Sequence, residues 1–303
     1  MTRVAAIDCG TNSIRLLIAD ISSGSFREVL REMEIVRLGQ GVDKNKAFDP
    51  EAIERTLRAT AKFANLIRSK GVQKIRFCAT SATRDATNRH LFIDGVRELL
   101  GIEPEVIPGE EEASLSFIGA TKEFSMNQSP FLVVDIGGGS TEFVFGSERV
   151  EFARSVNIGC VRMTERHMVS HPPTQEQLAN ARIDIRAAIS QAAEIVPITK
   201  SQTLIAVAGT ATTVAAAALA LSEYDRYSIH LSRISANKVH EVAEMFASLS
   251  REELAALGYM HPGRVDVIAA GSLVLSEILT ATGASEFVAS ESDILDGMAW
   301  SLE

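Results

Sequence analysis

The chain has 303 residues, 46% of them hydrophobic and 23% charged, which is ordinary for a globular protein with room for two domains. Its formal net charge of −9 argues against nonspecific binding to nucleic acid or to an anionic membrane surface. Three cysteines without CxxC spacing exclude a disulfide framework and a zinc site, and we expect neither a signal peptide nor a membrane span.

Strand-like and helical runs alternate along the first half, which predicts α/β architecture. Two apolar stretches, 3–8 and 14–20, flank a short polar loop and predict a hairpin. Asp49 and Pro50 have the residue types of an N-cap and a first helical position, so a helix is expected to begin there and to end at Gly71. The next predicted elements are strands at 74–79 and 104–107 and a helix at 110–121.

The polar segment 122–130 lacks periodicity and ends in Pro, so it is the predicted linker between two domains. A buried strand follows from residue 131, and Thr174 with Gln177 predicts a capping box at the start of a long helix. The remaining predicted elements are a strand at 203–208, helices at 211–221, after Ser250 and at 265–281, a strand at 286–289 and a short terminal helix.

A weak internal repeat has the strongest consequence for organisation. Asp8-Cys9-Gly10-Thr11-Asn12-Ser13 and Asp135-Ile136-Gly137-Gly138-Gly139-Ser140 share one template: an apolar strand, Asp, Gly two residues later, Ser five residues later, then another apolar strand. Two copies in two halves predict duplicated domains, 1–128 and 129–303, that face each other across a cleft.

Each of these loops combines Gly with hydroxyl side chains in a tight strand–turn–strand, an arrangement that can direct several N–H groups at a phosphate. A plain hairpin turn is the alternative for either loop alone, and the repetition favours phosphate binding. The chain lacks GxGxxG after a strand and lacks GxxxxGK[ST], which excludes Rossmann and P-loop nucleotide sites.

Acidic residues stand beside both loops. Asp8 and Asp135 end the strands before the loops, where they could hold Mg²⁺ next to phosphates or could simply cap the turns. Glu142 should share a strand face with Ser140, although spacing alone favours an exposed carboxylate. The run 110–112 is Glu-Glu-Glu at a predicted helix start, and charge pattern alone favours stabilisation of the helix N-terminus.

Two further turns could contribute to a site. Arg84, in a strand-to-helix turn, could bind a phosphate or form an ion pair with Asp85. Gly209-Thr210 lies between a strand and an Ala-rich helix, where anion binding and close packing are equally good explanations. The six histidines show no metal-ligand spacing, and no Ser-His-Asp or Cys-His arrangement is evident.

With these motifs the chain resembles the exopolyphosphatase/guanosine pentaphosphate phosphohydrolase (Ppx/GppA) family, whose fold has two duplicated actin-like (ribonuclease H-like) domains. The resemblance covers nearly the whole chain. It is carried by four segments, namely Asp8 to Leu16, Ala79 to Arg84, Gly109 to Ala113 and Asp135 to Glu142.

The resemblance also implies residue roles. Glu112 matches the catalytic base, and Asp135 and Glu142 match acidic residues that bind metal or assist catalysis, with Asp8 as a further candidate metal ligand. The implied phosphate-binding residues are Gly10, Thr11, Asn12, Ser13, Arg84, Gly137, Gly138, Gly139, Ser140, Thr141, Gly209 and Thr210. The implied cofactor is Mg²⁺ or another divalent cation, with a monovalent cation also allowed.

The activity that the resemblance implies is removal of the terminal phosphate from short inorganic polyphosphate, in a cytoplasmic homodimer that binds neither nucleic acid nor membrane. Guanosine pentaphosphate is the nearest alternative substrate. An actin-fold kinase and a module that senses a nucleotide without turnover are further alternatives. The last helix is expected to pack back on the N-terminal domain.

Overall fold

The computed structural model describes residues 1–303. Up to residue 121 it forms five strands and five helices: β1 (Thr2–Cys9), β2 (Ser13–Ser22), β3 (Ser25–Ile35), α1 (Val42–Asn45), α2 (Pro50–Ser69), β4 (Lys74–Ala79), α3 (Ser81–Asp85), α4 (His90–Leu100), β5 (Glu105–Val106) and α5 (Gly109–Thr121).

The remainder contains six strands and eight helices, with 3₁₀ turns at Met126–Gln128 and Pro262–Arg264. They are β6 (Phe131–Ile136), β7 (Thr141–Gly146), β8 (Val150–Val156), α6 (Cys160–His167), α7 (Gln175–Ala193), β9 (Thr203–Val207), α8 (Ala208–Ala218), α9 (Arg226–Ile229), β10 (Arg233–Ser235), α10 (Ala236–Ser248), α11 (Arg251–Ala255), α12 (Ile268–Thr282), β11 (Glu286–Ala289) and α13 (Ile294–Trp300). No helix combines the length and the apolar character that a membrane crossing needs.

The chain divides into two compact units, residues 1–119 with 294–303 and residues 120–293. The division therefore falls in the last turn of α5, ahead of the boundary expected after residue 128. The terminal helix α13 belongs to the first unit, where Arg31 of β3 forms an ion pair with Asp296 (Nη2 to Oδ1, 2.6 Å).

The two sheets share one plan. The first has the order β3-β2-β1-β4-β5, and the second has the order β8-β7-β6-β9-β11 with β10 added at its edge. In both, three antiparallel strands are followed by parallel pairings, β1 with β4 and β6 with β9. The predicted α/β architecture and its duplication are confirmed.

The central strand of the first unit is buried on both faces, which explains its continuous apolar sequence. Because side chains alternate along a strand, Ala5 and Ile7 of β1 join the core that includes α2 and α4, whereas Val4 and Ala6 join the core under α13. Parallel pairing then brings the carboxyl ends of β1, β4 and β5 to one edge, where the following loops meet.

Several predicted elements are confirmed, including strand 74–79, the capping box at Thr174 and the helix after Ser250. Strand β3 is not among the predicted elements, and its Arg and Glu side chains reflect its edge position and partly exposed pattern. Helix α12 begins at Ile268 and not at the predicted residue 265, because a 3₁₀ turn and three further turn residues, 265–267, precede it.

The close packing of α13 gives a stability prediction. A Cβ atom on Gly297 would overlap the carbonyl oxygen of Leu115 in α5, so Gly297→Ala must displace one helix. We expect a loss of about 1–3 kcal/mol, measured as a lower thermal unfolding midpoint by calorimetry. Glu303→Ala, at the exposed end of the same segment, is the control and should leave the midpoint unchanged. An unchanged midpoint for Gly297→Ala would contradict the packing.

Candidate functional site

The loop between β1 and β2, residues 10–13 (the first loop), is held from behind by the segment that follows β3. Gly39 N donates to the carbonyl of Thr11 at 2.8 Å, and the amides of Val36 and Arg37 donate to the carbonyl of Asn12 at 3.0 and 2.9 Å. Since C=O and N–H point in opposite directions across a trans peptide, the amides that follow these carbonyls point away from this backing segment.

The loop between β6 and β7, residues 137–141 (the second loop), is built the same way. Its backing segment is the start of α6. Cys160 N donates to the Gly137 carbonyl at 3.0 Å, and Val161 N donates to the Gly138 carbonyl at 2.9 Å. The Gly139 carbonyl accepts instead from the side chain of Arg162, at 2.6 Å from Nε.

Three consecutive amides of the second loop therefore face away from α6. The N–H groups of Gly138, Gly139 and Ser140 donate to no protein acceptor. Such a run of amides directed to one side forms an anion-binding nest. In the first loop the same argument applies to the amides of Asn12 and Ser13, which follow the held carbonyls of Thr11 and Asn12, and the Asn12 amide donates to no protein acceptor.

Glycine is required where each backing segment touches its loop. A Cβ atom on Gly159 would lie 2.5 Å from both the C and O atoms of Gly138. A Cβ atom on Gly39 would overlap the methyl group of Thr11 and lie 2.9 Å from Ala82 Cβ. The sequence analysis missed both glycines, although each follows the third strand of its unit and a longer reading of the repeat could have found them.

The threonine hydroxyl groups of the two loops differ in whether they hydrogen-bond within the protein. Thr11 Oγ1 is buried and has no hydrogen-bond partner in the protein, so it can form a hydrogen bond with a ligand. The hydroxyl of Thr141 instead donates to the carbonyl of Ile158. The structure thus supplies a structural role for Thr141, which the sequence analysis placed among the phosphate-binding residues.

The strand-end aspartates have different cross-strand neighbours in the two units. Asp8 lies opposite Arg15, whose Nη2 reaches Asp8 Oδ2 at 2.6 Å. Asp135 lies opposite Glu142, and both carboxylates are buried. Ser155 Oγ donates to Glu142 Oε1 at 2.7 Å. Arg15 thus holds in the first unit the position that Glu142 holds in the second.

This difference separates the candidate metal ligands. Directly opposed residues on one sheet face have Cβ atoms about 4.5–5.5 Å apart, and two like charges there repel each other. A divalent cation would offset that repulsion, and Mg²⁺ commonly takes one or two carboxylates with its other ligands from water and phosphate. No group of three or more His, Cys, Asp or Glu side chains is arranged as a metal site. The donors therefore fit a cation that shares its ligands with a bound phosphate.

The three glutamates at the start of α5 have three different environments. Glu110 is exposed, and Glu111 pairs with Arg76 at 2.5 Å. Glu112 is buried, with 8% exposure, and its Oε2 lies 2.7 Å from Arg84 Nη1. Helix phase alone turns Glu112 inward, towards the arginine that the sequence analysis singled out.

Arg84 is fixed by more than its carboxylate partner. Its Nη1 also donates to the carbonyl of Ile107 at 2.9 Å, just before α5. The turn that carries Arg84 joins the edge of the first loop, because Thr80 N donates to the Cys9 carbonyl at 3.1 Å. The first loop, Arg84 and Glu112 therefore follow neighbouring strand ends of one sheet.

The third turn, after β9, meets the backing segment of the second loop. A Cβ atom on Gly271 of α12 would lie 2.6 Å from Thr210 Oγ1 and 3.0 Å from Cys160 Cβ. Ala208 has φ of 66°, a left-handed value that is uncommon for a residue with a side chain. The structure therefore brings Thr210 next to the start of α6, where the second loop is held.

A basic side chain from the segment that precedes α12 lies at the same turn. The guanidinium of Arg264 packs against Gly209, leaving no space for a Cβ atom there, and donates to Thr213 Oγ1 at 2.8 Å. Asp266, two residues after Arg264, forms an ion pair with Arg251. Arg264 thus adds a positive charge beside Gly209 and Thr210.

Both units repeat one actin-like plan with a glycine-containing loop after the first strand, which defines the class as the actin-like ATPase superfold. Residues 17–303 match the model of the Ppx/GppA phosphatase family, and the chain belongs to this family.

Three similar proteins extend this result. Exopolyphosphatase 2 of Mycobacterium tuberculosis is 46% identical over 315 residues, covering 100% of this chain and 99% of the relative. A crystal structure of an exopolyphosphatase-like protein superimposes with a TM-score of 0.96 at 43% identity, covering 99% of this chain and 98% of the other. A guanosine-5'-triphosphate,3'-diphosphate pyrophosphatase of Pseudoalteromonas atlantica is 36% identical over 189 residues, 62% of this chain and 37% of the relative.

The three buried cysteines give a prediction about thiol reactivity. Burial raises the pKa of Cys160 to about 11, and it also raises the pKa of Cys9 and of Cys78. A thiolate forms only as pH rises through these values, so all three stay protonated near neutrality. We expect no reaction with a thiol reagent such as DTNB at pH 8 in the folded protein, and three reactive thiols after denaturation. Rapid labelling of the folded protein would contradict this burial.

Proposed function

We propose that this chain is an exopolyphosphatase, which hydrolyses the terminal phosphoanhydride bond of inorganic polyphosphate with a water molecule activated by Glu112. The observation that carries the proposal is the run of amides in the second loop, Gly138 to Ser140, that have no protein acceptor. Full-length similarity to a mycobacterial exopolyphosphatase supports the same substrate class.

Substrate binding in this proposal uses both loops. In the first unit, backbone amides and the hydroxyl of Thr11 would hold phosphate, with the hydroxyl of Ser13 as a further donor. In the second unit, the amides of Gly138 to Ser140 would do so, with the hydroxyl of Ser140 as a further donor. Fixed N–H dipoles need no reorganisation when charge develops during phosphoryl transfer, and positioning with charge stabilisation supplies most of the rate. A linear polyphosphate suits this binding mode because each of its phosphates presents the same kind of oxygen atoms.

A divalent cation, with Mg²⁺ as the first candidate, would be held by Asp135 and Glu142. When bound it would neutralise phosphate charge. Asp8 is a weaker candidate for this role than the sequence analysis allowed, since Arg15 already compensates its charge at 2.6 Å.

Glu112 is the proposed general base. Its carboxylate is held by Arg84 at 2.7 Å, and an ionised carboxylate can accept a proton from water. Arg84, as a charged donor beside the carboxylate, can also contact phosphate oxygens. A positioned base contributes about 10²–10⁴-fold to the rate.

Guanosine pentaphosphate remains the second candidate substrate, because the guanosine-5'-triphosphate,3'-diphosphate pyrophosphatase of Pseudoalteromonas atlantica matches 62% of the chain. The test is orthophosphate release, with Mg²⁺ present, from short polyphosphate, long polyphosphate and guanosine pentaphosphate in parallel assays. The proposal expects kcat/KM to be highest for short polyphosphate. A higher value for guanosine pentaphosphate would replace the assigned substrate, and no release from any of them would contradict a hydrolase.

Some features stay predictions from family resemblance. They are the homodimer, the cytoplasmic location and the preference for short chains. The net charge of −9 supports the absence of nucleic-acid binding.

Substitution of the base tests the mechanism. Glu112→Gln removes the proton acceptor and keeps the shape, so we expect kcat to fall by about 10²–10⁴-fold while polyphosphate binding persists. The matched control is Glu111→Gln, one residue earlier, whose carboxylate pairs with Arg76; its kcat should stay within about twofold of the wild-type value. Normal turnover by Glu112→Gln would show that another group is the base.

The metal assignment predicts a change in cation dependence. Glu142→Gln removes one of two opposed carboxylates, so the Mg²⁺ concentration at half-maximal activity should rise at least tenfold. Glu151→Gln, on the exposed part of β8, is the control and should leave the Mg²⁺ curve unchanged. An unaltered curve for Glu142→Gln would remove this residue from the metal site.

A further inference from the structure

Arg162 lies in the first turn of α6 and is buried, with 6% exposure. Its Nε donates to the carbonyl of Gly139 at 2.6 Å, and its backbone amide donates to the carbonyl of Gly138 at 3.1 Å. One residue thus holds two successive carbonyls of the second loop, by its side chain and by its main chain.

The first unit shows what this side chain replaces. Gly10 N donates to the Ser13 carbonyl at 2.9 Å, and Gly137 N donates to the Ser140 carbonyl at 3.0 Å, so the two loops correspond residue by residue. In this correspondence Gly139 matches Asn12, whose carbonyl accepts from two backbone amides of the first backing segment. In the second unit the guanidinium of Arg162 takes their place.

The direction of one amide depends on this contact. The Gly139 carbonyl and the Ser140 N–H belong to the same trans peptide, so holding the carbonyl against Arg162 directs the N–H away from α6. Glycine at 139 leaves this peptide free to rotate once the contact is lost, because glycine has few steric limits on its dihedral angles.

We infer that Arg162 is a positioning residue for phosphate binding, which fixes the Ser140 amide towards the bound phosphate chain without touching the substrate. The inference rests on the proposed function, since it assigns the second loop to a polyphosphate. The guanidinium also places a positive charge behind the loop.

The experiment measures binding of inorganic tripolyphosphate by calorimetry, together with kcat and KM. Arg162→Met fills similar space and removes the donor and the charge. We expect Kd to rise about 10–100-fold, the value of a lost hydrogen bond to a charged group. KM should rise more than kcat falls, because the amide binds phosphate before the reaction as well as during it.

Two further variants separate positioning from folding. Arg166 lies one turn later on α6, and its exposed side chain pairs with Asp184. The Kd of Arg166→Met for tripolyphosphate should therefore stay within about twofold of the wild-type value. Arg162→Lys keeps the charge but places a methylene group where Arg162 has Nε, so its Kd should still rise about 3–10-fold. This second variant carries the test if Arg162→Met does not fold.

Each outcome is decisive. Binding within about twofold of wild type by Arg162→Met, or by Arg162→Lys when it is the folded variant, overturns the inference and leaves the proposed function intact. A fall in kcat with unchanged KM also overturns it, because the effect would then lie in the chemical step. If the wild-type protein itself does not bind tripolyphosphate, both proposals fail.

Discussion

The candidate site depends on loop carbonyl groups that accept hydrogen bonds from the backing segment behind each loop. In both units the peptides of a short loop turn their C=O groups towards a backing segment, and their N–H groups must then face the other way. The glycines of the backing segments, Gly39 and Gly159, allow this close approach. Phosphate affinity in this account is a consequence of backbone direction, and the side chains around the loops adjust charge, reach and chemistry.

Duplication followed by divergence explains why the two loops are not equivalent. Asp8 faces Arg15 and forms an internal ion pair, whereas Asp135 faces Glu142 and leaves two opposed carboxylates. The first unit is therefore suited to hold phosphate beside Glu112, the proposed base. The second unit is suited to hold phosphate and a cation. Matched positions of one template thus carry different charges in the two units.

The hairpins and loops of the fold could be predicted from the sequence, because their sequence patterns are local. The Asp-x-Gly-x-x-Ser template marked both hairpins and both loops correctly as elements of the fold. Local pattern could not select Glu112 from three adjacent glutamates, since only helix phase and Arg84 distinguish them. It also could not reveal Arg162, because the contact joins residues 23 positions apart with no periodic signal.

Amide proton chemical shifts measured by NMR, on isotope-labelled protein titrated with inorganic tripolyphosphate, test the central claim most directly. A new hydrogen bond to a phosphate oxygen moves an amide proton downfield. The account predicts large downfield shifts for Gly138, Gly139 and Ser140, and only small changes for Cys160 and Val161, whose amides already donate to loop carbonyls. Saturable binding that leaves the three loop amides unshifted would contradict it.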